Sequence, residues 1–209
     1  RAPDRGECAR TGPPRRSVEP FADAARRRLA GLVAANGARV GLRLGREPRD
    51  HYGRTLAHVY DARGQNIEAQ LLAEGLGYLV AVSPNVALVD CQRDAERVAR
   101  EARLGLWRRS PVKTPEQLRS GGFALVRGRV ERVERNRGGL WLALGSTLVL
   151  RVAPALLEEF DQRRLLGLVG QRVEARGWVI DRARRGGVKP EQARWMLPLT
   201  HAAMLEVLP

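Results

Sequence analysis

Asp50-His51-Tyr52-Gly53-Arg54-Thr55-Leu56-Ala57-His58-Val59-Tyr60 is the run on which the fold turns. Its second half, Thr55 to Tyr60, reads as a strand, with His51 as a solvent-facing loop residue before it. Asp61-Ala62-Arg63-Gly64 then forms a turn, with Gly at the position that wants positive φ. Working outward, Ile67 to Glu74 predicts a short helix stopped by Gly75, and Tyr78 to Val82 a strand closed by Ser83-Pro84-Asn85. Upstream, Arg39 to Leu44 alternates as a strand before a loop from Gly45 to Asp50. Phe21, Ala24, Ala25, Leu29, Leu32 and Val33 recur at helical spacing, and Gly37 supplies the stop. Val89 to Arg103 is amphipathic, and its Glu96–Arg100 and Arg97–Glu101 spacings predict a solvated, ion-paired face. Residues 1–17 are rich in Arg, Gly and Pro without a hydrophobic period, and read as a loop.

Arg108 to Arg119, marked by Pro111 and Pro115, reads as a linker over 110–119 between a first domain (1–109) and a second (120–209). Beyond it the period changes to two. Phe123 to Val133 pairs with Leu140 to Leu144 across Asn136-Arg137-Gly138-Gly139, a hairpin signal, and Thr147 to Val152 is a third strand. A helix is expected from Pro154 towards Gly167, then strands over Arg172–Ile180 and Arg194–Leu199, with Met204–Leu208 as a short addition. Three strands, a helix and two strands is the order of a five-stranded OB barrel.

The chain has 209 residues, and Lys+Arg 37 against Asp+Glu 23 gives a formal charge of +14. Up to Ser110 there are 20 basic and 13 acidic residues, and after it 17 and 10, so each half carries +7. The excess is no detachable tail, and it suits a polyanionic partner along the whole chain. Only Lys113 and Lys189 are lysines. No apolar run approaches a membrane span. The chain opens at Arg1 rather than Met, which reads as a processed product or a fragment. Two cysteines, Cys8 and Cys91, allow one disulfide or two unrelated thiols.

Three separated segments carry a resemblance: Asp50 to Tyr60, then Asn66-Ile67-Glu68-Ala69-Gln70-Leu71-Leu72-Ala73-Glu74-Gly75-Leu76, then Ala95-Glu96-Arg97-Val98-Ala99-Arg100 ending in Leu104-Gly105-Leu106-Trp107. In order, spacing and identity these resemble the staphylococcal nuclease (thermonuclease) family over about residues 1–107. The resemblance implies an OB-fold domain with extra helices, α+β to mainly β in class. Because Arg1-Ala2-Pro3-Asp4 resembles a motif in the loop after the family's third strand, this domain is expected to lack its first three strands, with a second, OB-like barrel following it.

The resemblance also implies a calcium-dependent phosphodiesterase acting on DNA or RNA, secreted or periplasmic in location. Arg54 falls on the family's second catalytic arginine, and a guanidinium suits the role because its planar fork can donate two hydrogen bonds to phosphate. Asp4 falls on the glutamate thought to activate water and is one methylene shorter. Tyr52 matches a residue that hydrogen-bonds a terminal phosphate, and His51 replaces a lysine beside it. Arg1 stands at a calcium-ligating aspartate, which arginine cannot replace, so no metal ligand is assigned. Leu79-Val80-Ala81-Val82-Ser83 is aliphatic where the family stacks tyrosines.

In the C-terminal half, Trp141, Trp178 and Trp195 are candidate base platforms, although core packing is expected for at least two of them. Arg135, Arg137, Arg182, Arg184, Arg185 and Lys189 sit in loops or at loop edges and could line a phosphate track. Two readings follow. One is a calcium-dependent nuclease with an OB module that grips nucleic acid, favoured by Arg54. The other is a non-catalytic nucleic-acid-binding protein on a degenerate nuclease fold, favoured by Arg1 and Asp4.

Overall fold

The computed structural model describes residues 21–185 and 192–209. Helix α1 (Ala22–Ala35) precedes an antiparallel pair, β1 (Gly41–Arg49) and β2 (Thr55–Tyr60). The pairing runs from Gly41 opposite Tyr60 to Arg49 opposite Thr55, with a bulge between Leu44 and Arg49. The expected loop at Gly45–Asp50 is therefore mostly strand. Among the described residues β1 pairs only with β2, and Leu42 and Leu44 are exposed. Side chains from outside the pair hold it instead. Asn85 accepts the Glu47 N–H at 2.9 Å and donates back to the Glu47 carbonyl at 2.9 Å.

Helix α2 (Ile67–Ala73) begins at Asn66, whose side chain accepts the Ala69 N–H in an ordinary N-cap. Glu68 accepts the Val59 N–H at 3.0 Å, which ties α2 to β2, and Arg28 of α1 grips Glu74 with both Nε and a terminal nitrogen. Helix α3 (Val89–Glu101) ends in a Schellman turn: the Leu104 N–H donates to Ala99 and the Arg103 N–H to Arg100. The chain then passes Gly105 against Gly75. Both glycines have positive φ, a Cβ on either would overlap the other segment's backbone, and the Leu106 N–H donates to the Gly75 carbonyl at 2.9 Å. This close backbone approach joins Asn66–Gly75 to Leu104–Trp107.

The C-terminal half is a seven-stranded sheet rather than a five-stranded one. Its strands are β3 (Val112–Lys113), β4 (Gly122–Asn136), β5 (Gly139–Leu144), β6 (Leu148–Val152), β7 (Arg172–Asp181), β8 (Trp195–Pro198) and β9 (Leu205–Leu208). β4 pairs with both β5 and β7, so β4-β5-β6-β8-β7 close into a ring, with β6 and β8 parallel. β3 and β9 add at the sides. The predicted linker thus contributes a strand. The predicted helix after Pro154 is split into a 3-10 turn (Pro154–Glu159) and α4 (Gln162–Leu166), because Phe160 turns into the core and Asp161 caps a new start.

Two sequence expectations fail where the halves meet. Among the described residues Tyr78–Val82 pairs with no strand, yet it alternates as one: Leu79 and Ala81 are buried while Val80 and Val82 are exposed. Its polar groups are met by side chains and a loop, since Glu96 accepts the Leu79 N–H at 2.7 Å and the Ser83 N–H donates to the Thr200 carbonyl. Nor is Glu96–Arg100 a solvated pair. Glu96 is 3% exposed and bonds Arg176 of β7, while Arg100 forms a bidentate pair with Glu174 at 2.7 Å on both nitrogens. The i,i+4 spacing is right for a surface pair, but β7 presents opposite charge to that helix face. Arg97–Glu101 does lie on the solvent face.

Candidate functional site

Asp50 organises the loop between β1 and β2. One carboxylate oxygen accepts the backbone N–H groups of Tyr52 and Arg54, each at 2.9 Å, and the other accepts Arg54 Nε at 2.6 Å. Gly53, at φ 79°, donates to the Asp50 carbonyl, so the chain reverses within four residues. Burial would raise the Asp50 carboxyl, but the Arg54 N–H and guanidinium and the Tyr52 N–H hold it below the usual range.

This loop fixes the Arg54 guanidinium at Nε alone. Its two terminal nitrogens have no hydrogen-bond partner among the described residues, and its side chain is 72% exposed. The guanidinium lies 5.2 Å from the centre of the Tyr52 ring, which in turn lies 3.8 Å from the His51 ring and tilted to it by 43°. The structure therefore brings Arg54, Tyr52 and His51 together on one exposed face, with a forked donor aimed outward. Such a fork matches phosphate oxygens. Asp4 lies outside the described residues, as does Cys8. Cys91 is exposed, and its pairing with Cys8 falls outside them too.

On the C-terminal sheet a groove of about 610 Å³ is lined by Arg132, Asn136, Trp141, Ser146 and Arg182, with Glu131 and Glu134 among its walls. Trp141 is half-buried there. Its indole N–H donates to Asn136 at 3.0 Å, and Arg151 lies 5.1 Å from its ring centre. Arg135 and Arg137 are exposed at the hairpin end, and Arg184 is exposed 4.0 Å from Asp181; none of the three lines the groove. The side chain of Arg185 and all of Lys189 lie outside the described residues. Arg132 is a basic lining residue that the sequence reading missed, as it also missed Glu131, Glu134 and Ser146. Alternation along β4 could have found it, because Glu134 stands opposite Trp141 and Arg132 opposite Ala143.

Of the three tryptophans only Trp195 is core, at 4% exposed. Trp178 is 51% exposed, its ring lying edge-on to Phe123 at 5.2 Å. The expectation of two core tryptophans is thereby corrected.

Among the described residues no group of three or more His, Cys, Asp or Glu is placed to hold a metal ion. A calcium ion takes six to eight oxygen ligands. The carboxylate beside Arg54 is already engaged on both oxygens, so the described residues do not by themselves fit that ion. No helix among them is long and apolar enough to cross a membrane.

Residues 3–109 match the family model described as Staphylococcal nuclease homologue. The chain is also 34% identical over 105 residues to Endonuclease YncB of Bacillus subtilis (strain 168). That alignment covers 50% of this chain and 49% of the relative, so the chain spans about half the length of the curated relative it matches.

Proposed function

The chain belongs to the staphylococcal nuclease homologue family, and on that premise we propose that it is a nuclease that hydrolyses phosphodiester bonds of DNA or RNA with Arg54 as the phosphate-binding catalytic residue. The observation that carries this reading is the Arg54 guanidinium, anchored by Asp50 at Nε with neither terminal nitrogen hydrogen-bonded among the described residues. Held so, it can donate two parallel hydrogen bonds to the non-bridging oxygens whose charge grows as the phosphorane forms. Anchoring at Nε lowers the ordering cost of that contact, because the side chain is already fixed. Tyr52 and His51 stand where they can meet a flanking phosphate. Water activation falls to Asp4 by the resemblance. Calcium is the cofactor the family implies, and a secreted or periplasmic location goes with it.

The C-terminal ring has the strand order of an OB barrel, which supports reading residues 120–209 as a module that grips the substrate, with 110–119 joining it to the nuclease domain. Trp141 offers a ring face and Arg182 a cation for a single strand, while Arg132 is paired with Glu134 at 3.0 Å. A non-catalytic nucleic-acid-binding protein is the second reading, favoured by the absence of a carboxylate cluster beside Arg54 among the described residues.

The two are separated by hydrolysis of a fluorescent oligonucleotide in calcium and in excess chelator. Arg54→Ala should reduce the calcium-dependent rate by ~10²–10³-fold, the usual weight of one such donor. Undiminished turnover in Arg54→Ala would remove Arg54 from the chemistry. Tight binding without hydrolysis by the unmodified protein would establish the second reading.

A further inference from the structure

A second basic groove, of about 320 Å³, lies where α3 hands over to the C-terminal sheet. Arg103, Arg108 and Ser110 form its outer walls, and Arg100 and Trp107 its back. The back is rigid and already neutralised. Trp107 is 5% exposed, Arg100 lies 5.0 Å from its ring centre, and Arg100 is held on both nitrogens by Glu174. The walls differ. Arg103 and Arg108 are exposed and make no ion pair among the described residues, whereas the nearby arginines of α3's solvent face, Arg93 and Arg97, both do.

Arg103 is also an unexpected residue at its position. It occupies the residue after the helix cap, at φ 53°, where the Schellman turn takes glycine at least strain. A long cation is therefore held in a conformation that disfavours it, in the lining of a groove that also holds Arg108, which makes no ion pair among the described residues. Trp107 gives the groove an aromatic lining residue, and its indole N–H is buried beneath that surface.

We propose that this groove is a separate nucleic-acid subsite, in which Arg103 and Arg108 grip consecutive phosphates of a strand crossing from the nuclease half to the C-terminal sheet. A phosphodiester backbone is the occupant that fits: repeating single charges, a width that one groove admits, and continuity with a chain that is basic in both halves. The inference rests on the proposed reading only in taking the substrate to be a nucleic acid. It assigns no part of the cleavage step to these residues.

Binding of a fluorescein-labelled 20-nucleotide oligothymidylate, followed by anisotropy in chelator across a salt series, tests it. The variant is Arg103→Asn with Arg108→Ser, since asparagine tolerates the left-handed backbone. Thermal melting checks that it stays folded. The log–log salt slope should become shallower by about 1.4, because each single-strand phosphate contributes ~0.7. Affinity in low salt should fall at least tenfold. Arg93→Ser with Arg97→Ser, which removes the same formal charge from paired positions, should leave the slope nearly unchanged. An unchanged slope in the folded Arg103/Arg108 variant overturns the subsite. So does an equal flattening by the Arg93/Arg97 variant, which would mean diffuse charge, and so does a failure of the unmodified protein to bind. If the slopes separate as expected while no hydrolysis is found in calcium, the nuclease reading fails and the subsite stands. If hydrolysis is found with indistinguishable slopes, the subsite fails and the nuclease reading stands.

Discussion

Replacing Glu96 by leucine tests whether the two halves are joined by the ionic network or merely lie beside one another. Glu96 is 3% exposed on α3 and Arg176 is 7% exposed on β7, and the two are hydrogen-bonded. Glu96 also accepts the Leu79 N–H at 2.7 Å, so its loss orphans a buried donor as well as a buried cation. Breaking a buried pair from one side costs ~3–5 kcal/mol, and an unsatisfied buried donor costs about 1–3 kcal/mol by itself. These do not add in full, because Arg176 keeps a second carboxylate, Glu174, at 3.6 Å. The expected loss for Glu96→Leu is therefore about 3–5 kcal/mol. For a chain of this size each kcal/mol lowers Tm by ~2–4 °C, which predicts a fall of about 6–20 °C.

Urea and thermal unfolding measure it, with three companions that separate the causes. Glu96→Gln keeps an acceptor for Leu79 and should lose less than leucine. Glu96→Leu combined with Arg176→Met replaces both charges by apolar volume and should recover most of the loss. Arg97→Ala, on the solvent face of the same helix, should stay within about 0.5 kcal/mol. A loss below about 1 kcal/mol in Glu96→Leu would refute the reasoning, because the hydrogen bond to Arg176 and the acceptor for the Leu79 N–H are lost together.

Glu174 governs the acid side of stability. Burial raises its carboxyl, but hydrogen bonds from Arg100 and Arg127 and the charges of Arg100 and Arg176 outweigh it, so its folded value lies below the ordinary one. The unfolded chain then binds the extra proton first. The contribution is complete above the unfolded value of ~4.3 and is lost as pH falls through the folded value. Urea midpoints from pH 7 to 3 should fall at the acid end in the unmodified protein and fall less steeply in Glu174→Gln; parallel curves would contradict this. Gly105→Ala should be far more damaging than Gly64→Ala in thermal melts. Both residues have positive φ, worth about 1–2 kcal/mol, but only at Gly105 does the new Cβ strike the Gly75 backbone. Trp195→Ala should cost ~3–5 kcal/mol as a core truncation, while the half-exposed Trp178→Ala should cost much less; equal losses would mean that Trp178 is also a core residue.

Local signals in the sequence predicted local structure well. Thr55–Tyr60, the helix from Ile67 and the two stop glycines at 37 and 75 each depend on a few neighbouring residues, and each is in place. The Asp50–Arg54 loop is equally local, because its hydrogen bonds run within the loop itself, but the sequence places a loop at Gly45–Asp50 instead. What escaped depends on residues far away in the chain. Tyr78–Val82 reads as a strand from its residues alone, but nothing local says that its partners are Glu96 and Thr200 rather than another strand. Glu96 and Arg100 had the spacing of a surface pair, and only β7 opposite them makes that face buried. Arg103 was hidden in another way: glycine at a helix end is a signal, whereas arginine there looks like ordinary charge.

The family match ends at residue 109, yet the packing does not. Ala81 and Val89 belong to the same core cluster as Leu142, Leu150 and Leu197 of the sheet, and Ala99 and Trp107 form a second cluster with Leu125 of β4. The Thr200 hydroxyl donates to the Ala81 carbonyl at 2.5 Å, so even the backbone of the aliphatic segment is satisfied from the C-terminal half. Groups of this kind are costly to leave bare. The segment joining α2 to α3 is thus completed by β4, β7 and the loop at Thr200, and the exposed Arg54 loop sits on a scaffold stiffened from the far side. For a nuclease this arrangement has a direct use. A grip on the strand positions a phosphate productively only if its distance from the cleaving residue is fixed, and a shared core with a buried ionic joint fixes it, where a flexible linker would have contributed only effective concentration.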